Sequence, residues 1–531
     1  MKKRILSLLL LVMPFITFAQ EVTEQGIDQK IDAAFKPFSD MVSSIIFFQV
    51  FNEIPFVLIL LVGSALFFTL YFGFPNLRYF GKAINIVRGK YDDLDHHSVG
   101  NSELAIDGDI VDTIGDESQE GEVTHFQALA TAVSGTVGNG NIAGVALAIA
   151  LGGPGATFWM VICGLLGMST KFVECTLGVQ YRDVGEDGTI YGGPMYYISK
   201  GLKEKGFTIL GKIAAVFFAI FAIGGSFGGG NAAQSNQATI VLKDLLGLES
   251  TSAGAWIGVV LAVLIGIIII GGIKRIASVT EKVVPFMALM YLIACLYIIL
   301  SNFTLIDDAF SLIFSEAFNP TAIGVGSVIG VLLVGFKRAA FSNEAGAGSA
   351  SIAHSAVKTK YSASEGLVAL LEPFIDTVVI CTMTALVIII FNFGGVFEYG
   401  GEGSVMIDGI AYEGAGITSK AFAQYIPYSN IFLTIAVVLF AVSTMISWSY
   451  YGLQSWKYLF GRGKAADITY KVLFLIFVVI GAAASMKSIW DFSDAMIFAM
   501  VFPNMIGLFF LFPVVKKQLT RYLNAIKEAK V

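Results

Sequence analysis

Two stretches of this chain put polar and small residues where apolar ones are otherwise the rule. Between Ser134 and Gly144 it reads S-G-T-V-G-N-G-N-I-A-G, and between Ser342 and Ala350 it reads S-N-E-A-G-A-G-S-A. Lipid cannot hydrogen-bond a bare N–H or C=O, so backbone that leaves helical geometry at membrane depth must face protein or a water-filled cavity. In the first stretch Gly135, Gly138, Gly140 and Gly144 clear space for close approach, and Thr136, Asn139 and Asn141 offer hydroxyl and amide groups. Freed carbonyls with such oxygens suit a small hard cation such as Na⁺. The N–H groups of a half-helix starting near Asn141 suit an anionic carboxylate, aided by the helix dipole. Close helix packing by small residues is the alternative use of the glycines.

The second stretch belongs to G-F-K-R-A-A-F-S-N-E-A-G-A-G-S-A-S-I-A-H-S, from Gly335 to Ser355. Lys337, Arg338 and Glu344 are costly at membrane depth unless paired or lining water, so a Lys or Arg to Glu344 pair bracing the break competes with a direct transport role. His354 reads as an interfacial histidine at the cytoplasmic end. Further along, Gln234 and Asn231 lie a turn apart, and Gly229 clears space for a ligand beside Gln234; an interhelical hydrogen bond is the other reading. Ser443, Thr444 and Ser447 supply hydroxyls for a cation, and Trp448 walls off a small apolar side chain, unless the hydroxyls bond back to their own helix. Glu372 and Asp376, four apart around Pro373, are proton carriers or a structural pair near the cytoplasmic end.

Such residues need membrane-spanning helices to position them. The 531 residues are 56% hydrophobic and only 14% charged, outside soluble-domain usage. Spans are expected at 54–75, 125–150, 156–181, 209–242, 254–272, 282–303, 321–351, 367–393, 429–455, 468–487 and 493–514, about eleven crossings in an all-α polytopic membrane protein. Residues 1–20 have the basic start, short apolar run and small residues of a signal peptide, leaving 21–53 as an extracytoplasmic segment. Alternate loops carry Arg78, Lys82, Arg88 and Lys90, then Lys200, Lys203 and Lys205, then Lys274 and Arg275, then Lys358 and Lys360, then Lys457, Arg462 and Lys464. The tail, 515–531, adds Lys516, Lys517 and Arg521, so this register puts the N-terminus outside and the C-terminus in the cytoplasm.

If the span at 54–75 is peripheral, the other ten form sets of five at 125–303 and 321–514, and an odd repeat number forces opposite orientations. The acidic stretch 91–122 reads as a solvated cytoplasmic loop, and a metal site at His96–His97 lacks fixed geometry. Cys163, Cys175, Cys295 and Cys381 fall in apolar helices and read as packing residues. None of the four histidines is set beside a hydroxyl nucleophile at mid-membrane depth, and the chain has no zinc signature or phosphate-binding loop, which argues against an enzyme.

At these residues the chain resembles the alanine/glycine:cation symporter family, also called sodium:alanine symporters. The resemblance rests on G-T-V-G-N-G-N-I-A-G-V-A, L-G-G-P-G-A-T-F-W-M, Y-G-G-P-M-Y-Y-I from Tyr191, F-S-N-E-A-G-A-G-S-A and L-E-P-F-I-D-T, across about residues 125 to 515. It implies the leucine-transporter-like fold, a 5+5 inverted repeat with an extra N-terminal helix, in the bacterial inner membrane. It also implies Na⁺-coupled, or H⁺-coupled, uptake of alanine or glycine. Carried over by position, Na⁺ would lie against carbonyls near Ser134 and Val137 and hydroxyls of Ser443 and Thr444. The amino acid would lie against Thr136, Gly138, Asn139, Gly140, Asn141, Gly229, Gln234, Thr444 and Trp448. The partners implied are a small amino acid and the lipid bilayer, with no nucleic acid. Transport of another small solute, and a channel, are the rival readings; solute coupling separates a transporter from a channel.

Overall fold

The computed structural model describes residues 26–51, 54–95, 121–186, 188–270, 272–320, 327–401 and 403–529. The leader 1–20, His96–His97, Glu402 and most of the acidic loop lie outside them. Long helices dominate: α1 (Ile27–Ile46), α2 (Phe56–Tyr71), α3 (His125–Thr136), α4 (Val145–Gly152), α5 (Gly155–Gln180), α6 (Thr208–Leu246), α7 (Ala253–Ile269), α8 (Gly272–Ser301), α9 (Val328–Asn343), α10 (Ala350–His354), α11 (Ser362–Asn392), α12 (Ser429–Phe460), α13 (Lys464–Ala483) and α14 (Met486–Glu528).

Among the described residues seven of these, α5, α6, α8 and α11 to α14, are long and apolar enough to cross a membrane unaided. The pair α3 and α4 makes an eighth, bent by 50° at its break, while α2 and α7 are shorter apolar helices. The expected span 321–351 is the second interrupted helix, α9 followed by α10.

The packing inverts that of a water-soluble protein, because the solvent around the belt is hydrocarbon. Trp256, Val260 and Ile267 on α7 and Phe286, Ile293 and Tyr297 on α8 face outward. Lys171, Glu174, Glu372, Asp376 and Asn504 are fully or almost fully buried in the centre. All four cysteines are buried and free, as packing residues should be.

The breaks have local causes. Helix α3 starts at a capping box, in which Gln127 N–H donates to Thr124 Oγ1 (3.2 Å) and Thr124 N–H to Gln127 Oε1 (3.1 Å). It ends at Val137, and a π-helical turn over Gly140–Gly144 leads into α4. Wide turns of this kind recur at Gly228–Ala232 inside α6 and at Phe374–Cys381 inside α11, just after Pro373, whose missing N–H loosens the ladder.

The 21–53 segment carries structure that hydropathy did not signal. Helix α1 lies against the start of α14: Asp28 accepts from the N–H groups of Gly254 and Ala255 at the head of α7 (both 3.0 Å), and Asp32 accepts from Ser485 N–H (2.9 Å). Ser39 donates to the Ser488 carbonyl at 2.6 Å, and Phe35 and Phe38 pack on Phe492.

Candidate functional site

The two interrupted helices meet at the centre of the molecule. Gly140 faces Ser342: a Cβ placed on Gly140 would stand 3.5 Å from Ser342 Cα and 3.7 Å from the Phe341 ring. Around this junction α6, α11, α12 and α14 supply the remaining polar groups.

On the α12 side, Thr444 Oγ1 donates to the Ser134 carbonyl at 3.0 Å, and Ser134 Oγ donates to the Ser443 carbonyl at 2.9 Å. Ser443 Oγ bonds the Phe440 carbonyl (3.0 Å) and approaches Met287 Sδ (3.4 Å). Val137, with ψ of 89°, turns the backbone out of helical geometry three residues after Ser134. Hydroxyl and carbonyl oxygens from two helices thus converge, a donor set of the hard kind that Na⁺ takes.

On the α6 side, the Asn139 N–H donates to Gln234 Oε1 at 2.9 Å, and Asn139 Nδ2 reaches the Gln234 carbonyl at 3.3 Å. Gln234 Nε2 donates to the Gly229 carbonyl at 2.9 Å, across the π-turn that offsets the helix there. Gly138 is wedged between Thr444 and Gln234, and its would-be Cβ lies 3.0 Å from Gln234 Oε1. Gly229 packs closely on Ile497 and Phe341, so that a Cβ there would clash with Ile497 Cδ1. Asn139 Oδ1 is buried and has no hydrogen-bond partner in the structure, in a place where each such group is costly.

Other expected residues are placed elsewhere. Thr136 Oγ1 bonds back to its own helix, at 3.3 Å to the Ala132 carbonyl. Asn141 Nδ2 turns to Asp376 Oδ1 (2.6 Å), while its Oδ1 accepts from Gly138 N–H (2.9 Å), holding the loop closed on itself. Trp448 packs its indole over Gly225 and Gly230, and its Nε1–H donates to Glu344 Oε1 at 3.0 Å. Asn231 donates to the Phe474 carbonyl at 2.6 Å, so it does not share a task with Gln234.

Three sequence expectations are corrected. Lys337 and Arg338 do not pair with Glu344: both pair with Asp494 on α14, Lys337 at 2.9 Å, and Arg338 also stacks over Phe341 and Trp490. Glu344 is held by Trp448 and Ser349 instead, because its left-handed backbone (φ 55°) turns the side chain inward. His354 is fully buried rather than interfacial, against Glu365. Glu372 and Asp376 are not partners of each other: Glu372 takes Lys171 (2.9 Å), and Asp376 takes Asn141 and Thr377.

The sequence did not single out Phe341, Trp490 and Ile497 as neighbours of the site. Phe341 and Trp490 stack with centroids 5.0 Å apart beside Gly140 and Gly144. The signal was present in the aromatic immediately before S-N-E-A-G; its partner lies about 150 residues on, where local spacing carries no information.

Comparison with known proteins places the chain in context. The sequence model of the sodium:alanine symporter family matches residues 39–531. The sodium/alanine symporter AgcS of Methanococcus maripaludis is 39% identical over 475 residues, covering 89% of this chain and 95% of that one. The amino-acid carrier protein AlsT of Bacillus subtilis is 32% identical over 472 residues, 88% of this chain and 90% of that one. Among solved structures, MhsT in complex with L-phenylalanine superposes with a TM-score of 0.52 at 14% identity, over 77% of this chain and 100% of that one. The likeness shows the leucine-transporter fold.

Proposed function

The chain belongs to the sodium:alanine symporter family, and on that premise we propose that it imports alanine, glycine or both with Na⁺ by alternating access, N-terminus outside and C-terminus cytoplasmic. One observation carries the reading. A single interrupted helix presents Ser134 O to Thr444 Oγ1 and, five residues on, Asn139 N–H to Gln234 Oε1, so ion and solute positions share one short piece of backbone.

Na⁺ would take the oxygens of Ser134, Val137, Ser443 and Thr444, replacing the Thr444 to Ser134 and Ser134 to Ser443 hydrogen bonds. The amino acid would lie across Gly138, Asn139 and Gly140, with Asn139 Oδ1 and Gln234 Oε1 as acceptors for its ammonium group. Its side chain would point toward Gly229, Phe341 and Ile497, and the close walls there predict rejection of bulky side chains. An ion held on Ser134 O would fix the backbone that presents Asn139 to the solute, which is the coupling a symporter needs.

The test is uptake of radiolabelled L-alanine into proteoliposomes under an inward Na⁺ gradient, against K⁺ and an imposed pH gradient. Accumulation that requires Na⁺ is expected, with competition by glycine and little by phenylalanine. Uptake driven by the pH gradient alone would shift the ion role to Asp376 and Glu372, and no flux under any gradient would overturn the substrate assignment.

A further inference from the structure

One buried cluster serves neither the ion nor the solute position described above. His125 stands in the first turn of α3, His354 ends α10, Glu365 and Glu372 lie on α11, and Lys171 lies on α5; none is more than 8% exposed. Glu365 receives both imidazoles, His354 Nδ1 on Oε1 at 2.5 Å and His125 Nδ1 on Oε2. Glu372 Oε1 accepts from Lys171 Nζ at 2.9 Å. His354 Nε2 and Glu372 Oε2 then face each other at 3.7 Å, and neither has a hydrogen-bond partner.

The chemistry of that gap is specific. An ionised carboxylate only accepts, so each Nδ1 bonded to Glu365 must carry a hydrogen. A neutral imidazole with its hydrogen on Nδ1 turns a lone pair out at Nε2, and in His354 that lone pair meets a lone pair of Glu372. Two acceptors hold apart at such a distance; one proton on Nε2 makes them donor and acceptor in a charge-assisted bond. The same proton balances the cluster, with Lys171 and His354 against Glu365 and Glu372 and His125 neutral, which burial demands. The other titratable or charged groups facing it are Glu174 and Cys175 from α5, Glu344 from the second break, Asp376 from α11 and Tyr451 from α12, and Arg182 just past α5 donates to the Ser355 carbonyl at 3.0 Å.

We propose that the His354–Glu372 gap is a binding site for one proton, taken from the cytoplasmic side, that latches the inner halves of both interrupted helices to α11. His125 belongs to α3 and His354 to α10, so parting these half-helices toward the cytoplasm must break the bonds through Glu365 and Glu372. A protonated His354 adds one more bond to break and holds the inner side shut. This rests on the alternating-access reading above, and it makes release to the cytoplasm depend on internal pH without any proton being carried across. Bistable elements biased by buried histidine are a known kind of switch.

The chain has four histidines, so the protein labelled with ¹⁵N only at histidine yields four imidazole spectra. In detergent, titrated from about pH 6 to about pH 10, the His354 imidazole is expected to pass from imidazolium to the neutral Nδ1–H form. His354→Gln assigns the signal by deletion, and His125→Gln, which leaves the His354 signal in place, assigns its neighbour if the first variant does not fold. A His354 ring with one unchanged protonation state throughout would overturn the site.

The latch is read separately, by Na⁺-driven alanine uptake with internal pH stepped over the same range and external pH fixed. An increase of about threefold or more as internal pH rises is expected, with no response to external steps and a flat profile in His354→Gln. Uptake insensitive to internal pH, or a variant with the wild-type profile, would overturn the latch. Absence of alanine uptake at every pH would instead count against the transport reading, leaving the titration as the test of the proton site.

Discussion

The two interruptions look alike on paper and are built differently. In the first, no residue between Ser134 and Gly144 has a positive φ, so its glycines are there for space: Gly135 beside Tyr451, Gly138 between Thr444 and Gln234, Gly144 against Trp490. In the second, Glu344 (φ 55°), Gly346 (φ 96°) and Gly348 (φ 84°) turn through the left-handed region, so glycine is there for the backbone. The second turn is also pinned from outside, with Asn504 Nδ2 donating to the Gly346 carbonyl (2.8 Å) and to Glu174 Oε1 (2.7 Å). A glycine-rich break is therefore two different devices, one a close-fitting surface and the other a rigid corner.

That contrast can be broken by exchanging glycine for alanine on each side. Gly348→Ala should do the greatest damage, since the new Cβ would meet both strained backbone and Pro194 at 2.7 Å. A cost of about 3 kcal/mol is expected, seen as a lower melting temperature in detergent and poor recovery from the membrane. If Gly348→Ala melts like the wild type, the corner is not rigid.

Gly138→Ala should show the opposite split. The backbone tolerates a side chain there, so folding should be retained, while a methyl group intrudes on Thr444 and Gln234. Na⁺-dependent uptake is expected to drop by about a hundredfold with monodisperse elution preserved, in line with the effect of small misplacements on a fitted site. Equal losses of stability in the two glycine variants would erase the distinction.

Smaller effects sharpen it. Trp448→Phe removes the N–H that Glu344 accepts at 3.0 Å and leaves a buried carboxylate one donor short. A loss of about 2 kcal/mol is expected in thermal or denaturant unfolding, and it should be relieved in part by Glu344→Gln. Thr444→Val deletes only the hydroxyl on Ser134 O. The half-saturating Na⁺ concentration is expected to rise about tenfold, some 1.4 kcal/mol, with about 1 kcal/mol of stability lost without Na⁺ because Ser134 O loses its donor. An unaltered Na⁺ dependence would remove Thr444 from the ion site.

Much of this was legible in the chain. The apolar segments, the broken motifs and the inward polar faces are local properties, fixed by the length of a span and by what hydrocarbon will not solvate. The family motifs also point to Ser134 and Thr444, which hydrogen-bond although they lie 310 positions apart. Helix α1 was not legible, because a short amphipathic segment carries no transmembrane signal and its role depends on Gly254 and Ser485 being at hand for Asp28 and Asp32.

By itself the sequence determined that the chain lives in a bilayer, where its apolar segments fall, and that two of them must break, since composition and small-residue spacing act within a few turns of helix. Only the tertiary structure decided the partners of the buried charges. Arg338 goes to Asp494 rather than to Glu344, six residues away, and Glu344 goes to Trp448. His354 sits inside the protein with Glu365 and not at its rim. A buried charge must find a counter-charge or donor within a few ångströms, and which group stands there is set by how distant helices cross, not by any neighbour in the chain.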